Sequence, residues 1–172
     1  DMKKYIKEYE LEKLLFNEIG RNFKKNKTLS PEEFFKIIIW KSNRSKGRIL
    51  TGIRKSRKSI NQIMKEVYCA RTLEEKVRTL IKIKGIGLPI ASAILTVCYP
   101  EEFTVLDYRV WGILFKDKKV KNKSLPSTIP GYLDYVNICK NYAKELNLSL
   151  RDFDKAMWGR SFYEDLKKFL KK

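Results

Sequence analysis

The chain has 172 residues, 38 Lys and Arg against 20 Asp and Glu, a net charge of +18 and a pI near 9.8, so a polyanionic partner is expected. Nucleic acid is the first candidate, with a basic proteome or general solubility as the bland alternative. A 43% hydrophobic content supports a globular chain that needs no staples, and three scattered cysteines with no histidine exclude a zinc or iron–sulfur pattern.

Tyr5, Tyr9, Leu11, Leu14, Leu15, Phe16, Ile19 and Phe23 recur at three- and four-residue steps, which predicts one amphipathic helix up to the Lys24-Lys25-Asn26 stop. Ser30-Pro31-Glu32-Glu33 combines a capping serine, a first-turn proline and an acid at the third position, and opens a helix through Trp40. Arg48 to Ile53 and Ile60 to Tyr68 also read as helical, separated by the basic run Arg54 to Lys58. Thr72-Leu73-Glu74-Glu75 repeats the capping logic ahead of Val77, Leu80 and Ile81. Lys118 to Pro130 reads as a loop, Tyr132 to Tyr142 restores helical spacing, and Ser149 caps a final pair of helices reaching Phe169. Strand-like alternation is scarce, so the fold class is all-α. Lys-Lys pairs are spread along the chain and predict a folded basic face rather than a disordered arm. Apolar runs such as Phe34 to Trp40 are too short for a membrane span, no signal-peptide pattern opens the chain, and Cys69, Cys98 and Cys139 form no disulfide framework. A cytoplasmic, nucleoid-associated location is therefore expected.

Lys84-Gly85-Ile86-Gly87 makes a tight connection between a helix ending at Ile83 and a second rich in small residues from Leu88 to Val97. Two glycines allow a sharp reversal and let an anion approach the amides of a helix N-terminus, where Pro89 sits without losing a bond. Read blandly, the same residues are a helix C-cap and a turn. Their flanks favour more: an apolar residue and Lys84 before, Ala91 four residues after the second glycine, and an aliphatic run beyond it. These form the helix-hairpin-helix pattern, which grips DNA backbone without reading sequence. Further on, Val105-Leu106-Asp107-Tyr108-Arg109-Val110 places one carboxylate before another helix. Taken alone, Asp107 reads as a helix cap above a Val105 and Leu106 core.

Together these two segments resemble the helix-hairpin-helix DNA glycosylase superfamily, to which endonuclease III, adenine glycosylase and 8-oxoguanine glycosylase belong. The match covers roughly residues 77 to 116, and Arg151 to Trp158 more weakly resembles the family's C-terminal helix. The resemblance implies an all-α, two-lobed fold with a cleft, one lobe at 30–116 with the hairpin at 77–98, the other combining 1–29 with 117–172. It implies that Asp107 is the catalytic carboxylate of a monofunctional glycosylase, acting on double-stranded DNA with a damaged or mismatched base. Where bifunctional relatives carry a nucleophilic lysine this chain has Pro89, which has no amine. The family's four-cysteine cluster motif is absent too, so no iron–sulfur cluster is expected; a structural monovalent cation at the hairpin is the one ion implied, and a monomer is expected.

The DNA-binding set is Lys84, Gly85, Ile86, Gly87 and Pro89, joined by Arg44, Lys46 and Arg48 as phosphate contacts. Lys84 reads as a phosphate contact or solvated charge rather than a catalyst. Base-pocket candidates are Trp40, Lys41, Tyr108 and Trp158, with core packing the alternative for each aromatic. Arg109 either contacts DNA or caps a helix carbonyl. Two other functions compete: a non-catalytic helix-hairpin-helix DNA-binding module, and a bifunctional glycosylase/lyase using another lysine such as Lys41.

Overall fold

The computed structural model describes residues 2–172, and among them every regular element is helical, with no strand. Among the described residues no helix is long and apolar enough to cross a membrane. The chain divides into two compact units, one ending at Tyr99 and the other beginning at Pro100. This partition differs from lobes at 30–116 and at 1–29 with 117–172. The physical reason lies in burial: the N-terminal residues seal the first unit's core, and Phe103 to Leu106 belong to the core of the second.

In the first unit, short helical turns from residue 2 lead through a π-helical segment, Leu14–Ile19, into α1 (Gly20–Asn26). The expected single helix is thus interrupted, because the wider i→i+5 turn keeps Leu15, Ile19 and Phe23, each four residues apart, facing the core. Gly20 lets this run approach the next layer closely: a Cβ there would lie 2.7 Å from the Val97 carbonyl oxygen. A left-handed Lys27 ends α1 where the basic stop was expected.

Helix α2 (Pro31–Ser42) starts in a complete capping box, with Ser30 Oγ accepting from the Glu33 amide and Glu33 accepting from the Ser30 amide. Phe34, Ile37 and Ile38 are its buried face. After α3 (Lys46–Ser56), equivalent boxes at Ser59 and Thr72 open α4 (Ile60–Cys69) and α5 (Leu73–Ile81). Lys76 of α5 is buried, and its ammonium donates to the carbonyls of Val67 at 3.0 Å and Ala70 at 2.8 Å, beside the Tyr99 ring. It thereby satisfies carbonyls at the end of α4 that the helix itself cannot pair. Helix α6 (Leu88–Cys98) is the central element: Ile90 through Cys98 are all buried. Its two hydroxyls bond back along the helix, Ser92 to the Pro89 carbonyl and Thr96 to that of Ser92.

The second unit begins with an extended segment whose Phe103, Thr104, Val105 and Leu106 are buried. Tyr132 and Tyr135 pin it, their hydroxyls donating to the Thr104 carbonyl at 2.9 Å and the Val105 carbonyl at 2.8 Å. Helix α7 (Tyr108–Lys116) follows, and Trp111 Nε1 donates to the Asn122 and Lys123 carbonyls, fastening the connecting loop. That loop stops at Thr128 rather than Pro130. Thr128 Oγ1 accepts from the Gly131 amide, and the proline sits in the first turn of α8 (Ile129–Glu145), where no donor is missed. The expected pair of terminal helices is instead one 21-residue helix, α9 (Leu150–Leu170). Gly159 does not break it, since a lone glycine costs a helix only about 1 kcal/mol and no proline follows.

Candidate nucleic-acid interface

The glycine turn of the first unit is built jointly by α3 and the residues between α5 and α6. Gly85 adopts φ +99°, a backbone conformation that side chains disfavour, and a Cβ there would lie 3.1 Å from Arg48 Cγ. Gly52 on α3 is fitted still more tightly: a Cβ would fall 1.8 Å from the Lys84 carbonyl oxygen. The backbone of α3 therefore lies directly against the turn, and this places Arg48 beside it. Arg48 in turn donates to Ser45 Oγ at 3.5 Å, and Ser42 and Ser45 share a hydroxyl contact of 2.9 Å. Gly52 has no local signature as a site residue. Its only sequence signal is a glycine inside a helical pattern, which in retrospect marks a close backbone approach.

Gly87 takes no part in the reversal. Its φ of −94° and ψ of 178° are open to any residue, so no reversal depends on it. It is the N-cap of α6 with no side-chain cap, and the first bond of that helix is donated by Ala91 to the Gly87 carbonyl at 3.0 Å. The amides at this end and the helix dipole favour an anion. Lys84, Gly87 and Pro89 are exposed, Gly85 is half-buried and Ile86 is buried, so the Ile86 side chain anchors the turn. Arg44 and Lys46 are exposed beside the start of α3, with Lys46 held to Asn43 Oδ1 at 2.6 Å. Trp40 and Lys41 are half-buried at the end of α2, Trp40 packing edge-on to Phe16 with centroids 5.8 Å apart.

In the second unit Asp107 is half-buried and caps α7, its Oδ1 accepting from the Arg109 amide at 2.8 Å. This is the ordinary role of an aspartate at that position. It also fixes the carboxylate's orientation while leaving the residue accessible to solvent. Tyr108 and Trp158 are not core: they are 66% and 45% exposed. The Arg109 guanidinium reaches α9, donating to Asp165 Oδ2 at 2.9 Å and Ser161 Oγ at 3.4 Å. There it lies 5.5 Å from the Tyr108 ring and 5.2 Å from the Trp158 ring. Phe162, which carried no sequence signal as a site residue, stacks on Trp158 at 5.8 Å and 10°.

Below this cluster, Asp117 accepts two bonds from Arg160 at 2.7 and 3.0 Å and one from the Tyr142 hydroxyl at 2.9 Å. Arg160, and after it Tyr142, hold the Asp117 carboxyl below its usual range. Burial pushes the thiols of Cys98 and Cys139 up, so neither is a nucleophile at neutral pH. Comparison with protein families, curated proteins and solved structures found no match.

Proposed function

We propose that the protein is a monofunctional DNA glycosylase, in which the glycine turn holds the phosphate backbone and Asp107 assists rupture of an N-glycosidic bond. The observation that carries this reading is the state of Asp107: a carboxylate fixed by the Arg109 amide at 2.8 Å yet half-exposed, at the position where the resemblance requires it. The chemistry is hydrolysis. The C1′–N bond breaks with its electron pair leaving on the base, which takes up a proton. Water adds to C1′ and releases a proton to the carboxylate or to solvent. Positive charge builds on the sugar meanwhile, and an oriented carboxylate stabilises it. Backbone grip comes from the α6 N-terminus with Arg48, Arg44, Lys46 and Lys84. One hairpin carbonyl, that of Ile83, already accepts from the Ile86 amide at 3.0 Å, so a monovalent cation at the hairpin would draw on the remaining carbonyls of the turn. A cytoplasmic, nucleoid-associated monomer acting on double-stranded DNA completes the proposal.

Asp107→Asn tests it cleanly, because asparagine caps a helix as well as aspartate while losing the charge. Duplexes carrying a panel of damaged or mismatched bases are incubated with each protein and then cleaved with alkali at abasic sites. The expected result is base release by the wild type and a loss of 100-fold or more, of the order typical for one catalytic group, in the variant. Full activity in Asp107→Asn rejects the catalytic assignment.

The cap itself favours a second reading, a non-catalytic DNA-binding module, in which Asp107 does nothing but start α7. That reading requires salt-sensitive DNA binding with no base released from any duplex, and equal binding by both proteins. A lyase using Lys41 is tested by borohydride, which traps a covalent enzyme–DNA adduct only if an amine reacts.

A further inference from the structure

The second unit carries a four-membered stack on its surface, running Tyr108, Arg109, Trp158, Phe162 with successive separations of 5.5, 5.2 and 5.8 Å. Both of its ends face solvent, Tyr108 at 66% and Phe162 at 50% exposure. Its one cation is held by Asp165, so the stack is locked in place and offers flat π-faces instead of net charge. From Phe162 the face continues along α9 at helical spacing through Leu166 to Phe169, both exposed. Residues 158 to 169 make a strip roughly 16 Å long at about 1.5 Å per residue.

Exposed apolar strips mark binding surfaces, and here the surroundings identify the occupant. The acids of α9 that lie nearby are neutralised, Glu164 by Lys116 and Arg160, and Asp165 by Arg109. Beyond them Lys167, Lys168, Lys171 and Lys172 are all exposed on a chain of net charge +18. Aromatic faces with an interleaved guanidinium, flanked by lysines, fit a polyanion that carries its own flat rings. We infer that this strip is a stacking platform for the unpaired bases of a single DNA strand, with phosphates running toward the terminal lysines. The inference rests on the nucleic-acid part of the proposed function and not on its chemistry.

The test is fluorescence anisotropy with a labelled oligothymidylate, alongside an oligomer of equal length and charge whose sugars carry no bases. Phe162→Leu and Trp158→Ala are expected to weaken oligothymidylate binding about 10-fold or more, the range for losing one base–aromatic stack. Phe162→Tyr keeps a ring and is expected to bind like the wild type. Binding of the baseless oligomer should stay unchanged in all three variants. Equal loss for both oligomers, or no loss with either, overturns the platform. So does a wild-type dimer in sedimentation that Phe162→Leu dissociates without any effect on oligothymidylate, since the strip would then serve a second copy. Asp107→Asn is expected to retain full oligothymidylate binding, so failure of base release and failure of the platform are separate results.

Discussion

Arg160 grips both oxygens of Asp117 and so ties the charge of this carboxylate to acid stability. A carboxyl held low in the folded state contributes stability that is complete above its unfolded value, near 3.9, and disappears as the pH falls through the folded one. Asp117→Asn should therefore be less stable than the wild type at pH 7, with a shallower loss as the pH falls below about 4 in urea melts. Glu164 and Glu75 are also held low, by Lys116 and by the Arg71 amide respectively, so the flattening is partial. Parallel curves would refute the assignment. The glycines make an equally sharp contrast. Gly52→Ala forces a Cβ into the Lys84 carbonyl and should cost upwards of about 2 kcal/mol, whereas Gly87→Ala meets only an ordinary 3.8 Å contact with Pro89. Thermal melts should separate the two. A loss of DNA affinity in Gly87→Ala with a native melting temperature would then report blocked phosphate approach, not unfolding.

Three helix starts were legible because each is written in three or four consecutive residues: Ser30 with Glu33, Thr72 with Glu75, and Ser149 ahead of Asp152. The ends and joints were less so, since they depend on partners far along the chain. Nothing near Lys76 announces that it will close the end of α4, nine residues earlier, while buried against Tyr99. Leucine at Gly159 would have made the length of α9 obvious; a glycine suggests a break that the rest of the helix overrides. The turn at Gly85 was visible as a motif, but its support by Gly52 and Arg48 was not, because close approach of two backbones leaves no periodic trace. Lys76→Met, which keeps the length and removes the donor, strands the Val67 and Ala70 carbonyls and should destabilise the protein by about 2–4 kcal/mol. Hydrogen exchange should rise first at the end of α4. Uniform protection would show that water replaces the ammonium without cost.

At the scale of the molecule, the charge of +18 makes a demand that any DNA-based function must meet. If about 6–10 phosphates are neutralised, affinity for duplex DNA should fall by roughly 10³–10⁵ between 50 and 200 mM salt, and a flat response would remove nucleic acid as the partner. Composition points to a polyanion but cannot assign charges to roles, and the structure shows Arg109 and Arg160 in internal pairs while Arg48 lies beside the turn. The three cysteines offer a practical opening. Cys98 and Cys139 are sealed in the two cores, whereas Cys69 ends α4 in the open. A maleimide dye should accordingly attach at one position only, giving a homogeneous fluorescent reporter on the first unit without recourse to a cysteine-free background.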